Sequence, residues 1–134
     1  MQGDEHEMHT LVDASIRSLA AAVYMCTFNS PLEIKSSLLM ARQKLSPLKD
    51  KTTNLTIPRL ELTVLLIGIR LTAFILKEIS ILVKTIRIYS DSQAVLHWIQ
   101  TGDKNGTFVG NRCKEIRNKL QNGKIREFAQ NFIT

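Results

Sequence analysis

The chain has 134 residues, 44% of them hydrophobic, which suits one compact domain with a sizeable core and leaves no room for two full ones. Eighteen Lys and Arg against twelve Asp and Glu give a net charge of +6 and a pI near 9.6, so a polyanionic partner is favoured. Cys26 and Cys113 stand far apart without CxxC or Cys/His spacing, which argues against a disulfide framework or a zinc site and for a reducing intracellular compartment.

Residues 1 to 7 are polar and acidic, which excludes a secretory signal and predicts a disordered tail. His6, His9, Glu5 and Glu7 are metal-ligating types, but on a tail such a group is expected to be solvated. Met8 to Val12 predicts a short strand, Asp13-Ala14-Ser15 an interruption, and Leu19 to Thr27 a second strand. Its Ala20, Ala21 and Ala22 suit close packing against something bulky. Asn29-Ser30-Pro31 signals a turn, and Lys35 to Leu45 predicts a third strand or a short helix. Three consecutive strands would form an antiparallel meander.

After a polar, basic loop from Ser46 to Thr56, Pro58 is expected to be the first residue of a helix that runs to about Ser80. At roughly 100° per residue, Arg59, Thr63, Arg70 and Lys77 fall within about 40° of one another and mark a solvent face. Glu61 falls about 160–200° away, on the side that Leu65, Ile69 and Leu76 help to bury. A carboxylate there is costly unless paired, protonated or bound to a metal. A place in the first helical turn would complement the helix dipole, which explains its presence but not its facing. The charges at Glu61, Arg70, Lys77 and Glu78 also exclude a membrane span over Leu60 to Val83.

From Thr85 the pattern alternates, with Ile86 and Ile88 against Arg87 and Tyr89, and predicts a strand. Ala94, Val95, Trp98 and Ile99 then recur at helical spacing, so Ser90 or Asp91 is the expected helix start. Asp91 thus lies at the carboxyl end of a strand, where open α/β sheets place ligands. Trp98 is expected in the core with Ala94 and Val95, and His97 on the surface. Thr107 to Leu120 predicts another helix, Gln121-Asn122-Gly123 a turn, and Ile125 to Ile133 a final strand. Seven basic and three acidic residues fall from Thr101 to Thr134.

Three acidic residues at element junctions, Asp13, Glu61 and Asp91, can meet only through the fold. This arrangement resembles the ribonuclease H fold: α/β, a mixed sheet with a three-strand antiparallel meander followed by alternating helices and strands, and helices packed on it. The wording is similar to the ribonuclease H region of BEL/Pao-type retrotransposon polyproteins. The resemblance rests on His9-Thr10-Leu11-Val12-Asp13-Ala14-Ser15, on Ala41, Lys44 and Pro47-Leu48-Lys49, and on Thr56-Ile57-Pro58-Arg59-Leu60-Glu61-Leu62. It continues through Ser90-Asp91-Ser92-Gln93-Ala94-Val95-Leu96-His97-Trp98 and Phe108-Val109-Gly110-Asn111-Arg112.

The resemblance implies a metal-dependent endoribonuclease that hydrolyses the RNA strand of RNA–DNA hybrids. Asp13, Glu61 and Asp91 would be its catalytic residues and would hold two Mg2+ or Mn2+ ions, Asp13 bridging them. Asn111, Arg112, Lys114, Arg117 and Lys119 are candidates for holding nucleic acid without reading its sequence. The expected setting is intracellular, in the cytoplasm or virus-like particles, beside the reverse transcriptase region of the same polyprotein. Such sites carry a fourth acidic or histidine ligand late in the fold. Here Glu127 is the only late acidic residue and has no matching motif around it, so residues 8 to 134 read as one C-terminally truncated domain. Two other readings stand beside this one: a non-enzymatic remnant that binds nucleic acid or a partner, and an aspartic peptidase. The last is disfavoured because neither Asp13-Ala14-Ser15 nor Asp91-Ser92-Gln93 contains the glycine of a peptidase turn.

Overall fold

The computed structural model describes residues 4–15, 17–30, 33–46, 56–90, 92–101, 106–121 and 132–133. Strands β1 (Glu5–Ala14), β2 (Ser18–Ser30) and β3 (Glu33–Leu45) come first. Helix α1 (Ile57–Glu78), strand β4 (Thr85–Tyr89), helices α2 (Gln93–Thr101) and α3 (Thr107–Gln121), and the short strand β5 (Phe132–Ile133) follow. The sheet order is β3-β2-β1-β4-β5. β1, β2 and β3 form the antiparallel meander, while β4 runs parallel to β1 and β5 parallel to β4. The mixed α/β class expected from the sequence is therefore present, with helices packed on the sheet. Among the described residues no helix is long and apolar enough to cross a membrane.

β1 begins three residues before its expected start. Glu5, His6 and Glu7, placed in a disordered tail by their polarity, pair with Phe28, Thr27 and Cys26. The strand also passes through Asp13 to Ala14 before turning. Ser15 makes that turn: its Oγ accepts from the backbone N–H groups of Arg17 and Ser18, and its own N–H donates to the Ser18 carbonyl. Residues 35 to 45, left open between strand and helix, belong to β3. Of the expected final strand only Phe132 and Ile133 are described, and the predicted turn at residues 122–123 and Glu127 lie outside the described residues.

α1 opens one residue earlier than predicted. Thr56 is its N-cap and accepts from the Arg59 N–H, so Pro58 takes the second helical position, where no donor is needed. Glu61 is then the fifth residue and stands just past the first turn, contrary to the expected first-turn place. The buried side of α1 includes Leu62, Leu65, Leu66, Ile69, Leu71, Ile75 and Leu76, which join Met8, Val23, Ile86 and Ile88 from the sheet in one core. A smaller cluster joins Leu60 and Val64 to Leu19, beside Val12 and Ala14.

Helix and sheet approach closely at Gly68. A Cβ built there would lie 2.5 Å from Val12 Cγ1 and 3.2 Å from Thr10 Cγ2. One turn on, the buried Thr72 hydroxyl donates to the Gly68 carbonyl at 2.8 Å. Its proton is thereby committed, so the buried Thr10 hydroxyl is the donor in the 2.5 Å bond between the two threonines.

Replacing Gly68 by Ala should therefore lower the midpoint of urea unfolding. The overpacking cost of about 1–3 kcal/mol exceeds the gain of about 1 kcal/mol in helix propensity. Adding Val12→Ala to that variant should recover part of the loss; a Gly68→Ala chain at least as stable as the parent would rule out the tight contact.

Candidate active site

The register of α1 against β1 decides what comes together. Thr72 meets Thr10, and Gly68 meets Thr10 and Val12, so moving back along α1 moves forward along β1. The two elements are antiparallel. Glu61 shares a stripe with Gly68, seven residues earlier and about 10 Å nearer the helix N-terminus. It therefore stands at the end of the sheet where β1 finishes with Asp13 and Ala14. Leu60, its neighbour, packs with Leu19 beside Val12 and Ala14. Glu61 is half-buried.

Asp13 alternates with Val12 and so lies on the sheet face away from α1; it is exposed. β4 accompanies β1 only as far as Leu11 opposite Tyr89, which leaves Val12, Asp13 and Ala14 unflanked by β4. A concavity of about 670 Å³ opens there, lined by Asp13, Leu11, Tyr89 and Ser90 and floored by Ala20, Ala22 and Ala41. Of the three small side chains expected to pack closely, Ala21 does so in the core beneath Gly68, while Ala20 and Ala22 leave room above the open face. Ser90 is the residue before Asp91, which itself lies outside the described residues.

The junction after β4 differs from expectation in one respect. Ser92, not Ser90 or Asp91, caps α2: its Oγ accepts from the Val95 N–H at 3.2 Å and its carbonyl from the Leu96 N–H at 3.3 Å. Ser90 Oγ accepts from the Ser92 N–H and braces the junction. Both serines are buried. Val95 is buried and Trp98 packs against the core as expected, but Ala94, expected beside them, is exposed in the first turn of α2. His97 is exposed.

Among the described residues neither Asp13 nor Glu61 has a hydrogen-bonding or ion-pair partner, and no three His, Cys, Asp or Glu side chains come together. The candidate donors Asp13 and Glu61 offer carboxylate oxygens only, the chemistry that suits a hard divalent cation. Asp13 is exposed at the end of its strand and Glu61 is half-buried.

The α3 candidates divide. Arg112 stacks its guanidinium 3.6 Å from the Phe108 ring centroid and donates to the Phe108 carbonyl; Arg59 approaches the same ring at 5.3 Å. Burial, and then the charge of Arg70, lower the Arg112 pKa. Arg117 donates to the Cys113 carbonyl, and Lys119 lies 3.9 Å from Glu115. Asn111 and Lys114 are exposed. The basic stripe is thus partly turned to the seam between α1 and α3, which Arg70 and Glu115 close with two 2.6 Å hydrogen bonds.

Sequence reasoning missed a polar row on the open face of the sheet. His9 Nε2 lies 3.1 Å from Glu7 Oε1, and His9 Nδ1 lies 2.7 Å from the Tyr89 hydroxyl. Arg87 Nε is 3.9 Å from the same Glu7 oxygen. The signal was the alternation of Glu5, Glu7, His9, Leu11 and Asp13, which continues the strand pattern back through the presumed tail.

The Arg70 hydrogen bonds hold the Glu115 carboxyl below its ordinary value. A depressed carboxylate contributes stability above its unfolded pKa and loses it as pH falls through the folded one. Discounted for solvent, with side-chain exposures of 56% and 34%, the pair contributes about 0.5 kcal/mol. Urea melts of Glu115→Gln should fall below the parent by about that amount at neutral pH, and the difference should vanish well below pH 4. A gap that persists in acid would assign the effect to packing.

No curated protein matches the chain. A family model described as a Pao retrotransposon-like RNaseH-like domain matches residues 1–92. The match runs from β1 through Asp13, Glu61 and Asp91 and stops before α2 and α3. With that span covering β1 to β4 and every acidic candidate, the chain belongs to the family of Pao retrotransposon-like ribonuclease H-like domains.

Proposed function

We propose that the chain is the nuclease domain of a Pao-type retrotransposon polyprotein and hydrolyses the RNA strand of RNA–DNA hybrids. The observation that carries this reading is the concavity shared by Asp13 and Ser90 at the carboxyl ends of two parallel strands, with the Glu61 end of α1 at the same end of the sheet. Asp13, Glu61 and Asp91 would hold two divalent ions, Mg2+ or Mn2+. Such a pair, when bound, supplies water activation and charge neutralisation at the leaving oxygen.

The chain's own residues do the rest. The Ser92 cap and the Ser90 brace fix the two residues that flank Asp91 in the chain. The Gly68 contact sets how far Glu61 projects beyond β1. The floor of Ala20, Ala22 and Ala41 lets a sugar–phosphate backbone approach the sheet closely. Asn111 and Lys114, exposed on α3, are the members of the basic stripe best placed to meet phosphates, and Arg112, Arg117 and Lys119 support that helix.

The test is cleavage of end-labelled RNA annealed to DNA in the presence of Mg2+. The parent chain should cut the RNA strand only in the hybrid. Asp13→Asn, Glu61→Gln and Asp91→Asn should each lose about a hundredfold or more, beyond what loss of outer support to a metal costs. Hybrid binding without any cleavage that depends on Asp13 would leave a non-enzymatic nucleic-acid-binding domain.

A further inference from the structure

The polar row beside the Asp13 concavity has a direction. An ionised carboxylate only accepts hydrogen bonds, so the short contact between Glu7 and His9 Nε2 places the imidazole proton on Nε2. In the neutral ring Nδ1 is then an acceptor, and the Tyr89 hydroxyl must donate its one proton to it. Arg87 Nε faces the same Glu7 oxygen at 3.9 Å. The two rings are nearly parallel, 12° apart with centroids separated by 5.6 Å, which restrains the phenol further. All four residues lie on the open face of the sheet, since Met8, Thr10, Ile86 and Ile88 occupy the buried one.

With its proton spent, the Tyr89 oxygen can offer only lone pairs to a ligand. Tyr89 lines the Asp13 concavity and also a second one of about 380 Å³ with His9, Leu11, Tyr24, Cys26 and Ser36. A phosphodiester presents acceptors alone and gains nothing from an acceptor-only phenol. A ribose 2′-hydroxyl can donate.

We propose that Tyr89, oriented by Glu7 and His9, accepts a hydrogen bond from a 2′-hydroxyl of the RNA strand and so helps the site tell ribose from deoxyribose. This rests on the hybrid-cleaving reading of the same concavity. Tyr89 is the residue that touches substrate; Glu7 and His9 position it, and neither carries out chemistry. A hydroxyl missing from the substrate leaves the phenol oxygen without a donor, and the penalty is that of one lost hydrogen bond.

The experiment is a cycle of two proteins and two ligands, read by fluorescence anisotropy of the full chain with labelled duplexes. The parent and Tyr89→Phe are titrated with an RNA–DNA hybrid and with hybrids in which one ribose at a time is replaced by deoxyribose. At one position the substitution should weaken the parent about three- to tenfold and leave Tyr89→Phe unaffected, while Tyr89→Phe itself binds the all-ribose hybrid about three- to tenfold more weakly. In cleavage assays the same variant should raise KM and leave kcat close to the parent value. Glu7→Ala, which removes the acceptor that fixes the His9 proton on Nε2, should weaken the same discrimination with circular dichroism unchanged. Equal effects of deoxyribose on parent and Tyr89→Phe at every position would overturn the proposal. The binding cycle is readable whether or not the chain cuts RNA. Absence of cleavage dependent on Asp13 therefore counts against the nuclease reading alone, and absence of coupling against Tyr89 alone.

Discussion

The structure depends on how closely α1 lies against β1. At Gly68 the helix backbone meets Val12 and Thr10 with no side chain between them, and the Thr10–Thr72–Gly68 hydrogen bonds satisfy two buried hydroxyls in the same contact. A helix interior glycine is entropically unfavourable, and buried hydroxyls are costly unless paired. Their coincidence at one point shows that translation of the helix along the strand is fixed there by shape and by polar complementarity together. The apolar residues on either side supply most of the burial, but they would tolerate a sliding helix. Gly68 and the threonines do not.

From that contact the position of the acidic residues follows by geometry. β1 is central in the sheet, with β2 on one side and β4 on the other, so its carboxyl end borders both a hairpin and a parallel crossover. Asp13 occupies the face that α1 does not cover, and Glu61 comes over the end of the strand from the covered side. Because β4 stops at Tyr89, the notch beside Asp13 remains open on the side of Ser90. The residues that border this notch, from Leu11 to Ser90, fall within the span shared with the Pao retrotransposon-like ribonuclease H-like family.

Much of this was legible in the sequence, for identifiable reasons. The single-faced alternation of β4 and the long amphipathic pattern of α1 each have one buried side, and such elements announce themselves. β3 did not, because only Met40 along it is even partly buried and a strand exposed on both faces has no period to read. The start of β1 was hidden by charge: Glu5 and Glu7 look like a tail until they are seen to occupy the open face opposite Met8. Ser90, Asp91 and Ser92 are all favourable N-cap types, so only the hydrogen bond from Val95 could choose between them. The His9–Tyr89 bond joins residues 80 apart and had no local signal at all.

β3 has one more consequence. It is a 13-residue strand at the edge of the sheet, with no strand beyond it among the described residues, and Ile34, Leu38 and Leu45 are each more than half exposed along it. Such an edge is a template for intermolecular pairing and aggregation. Glu33 and Lys35 near one end, Arg42 and Lys44 near the other, and the bulge that leaves Leu39 without a partner interrupt it. These features charge and twist the edge, which disfavours pairing with a flat incoming strand.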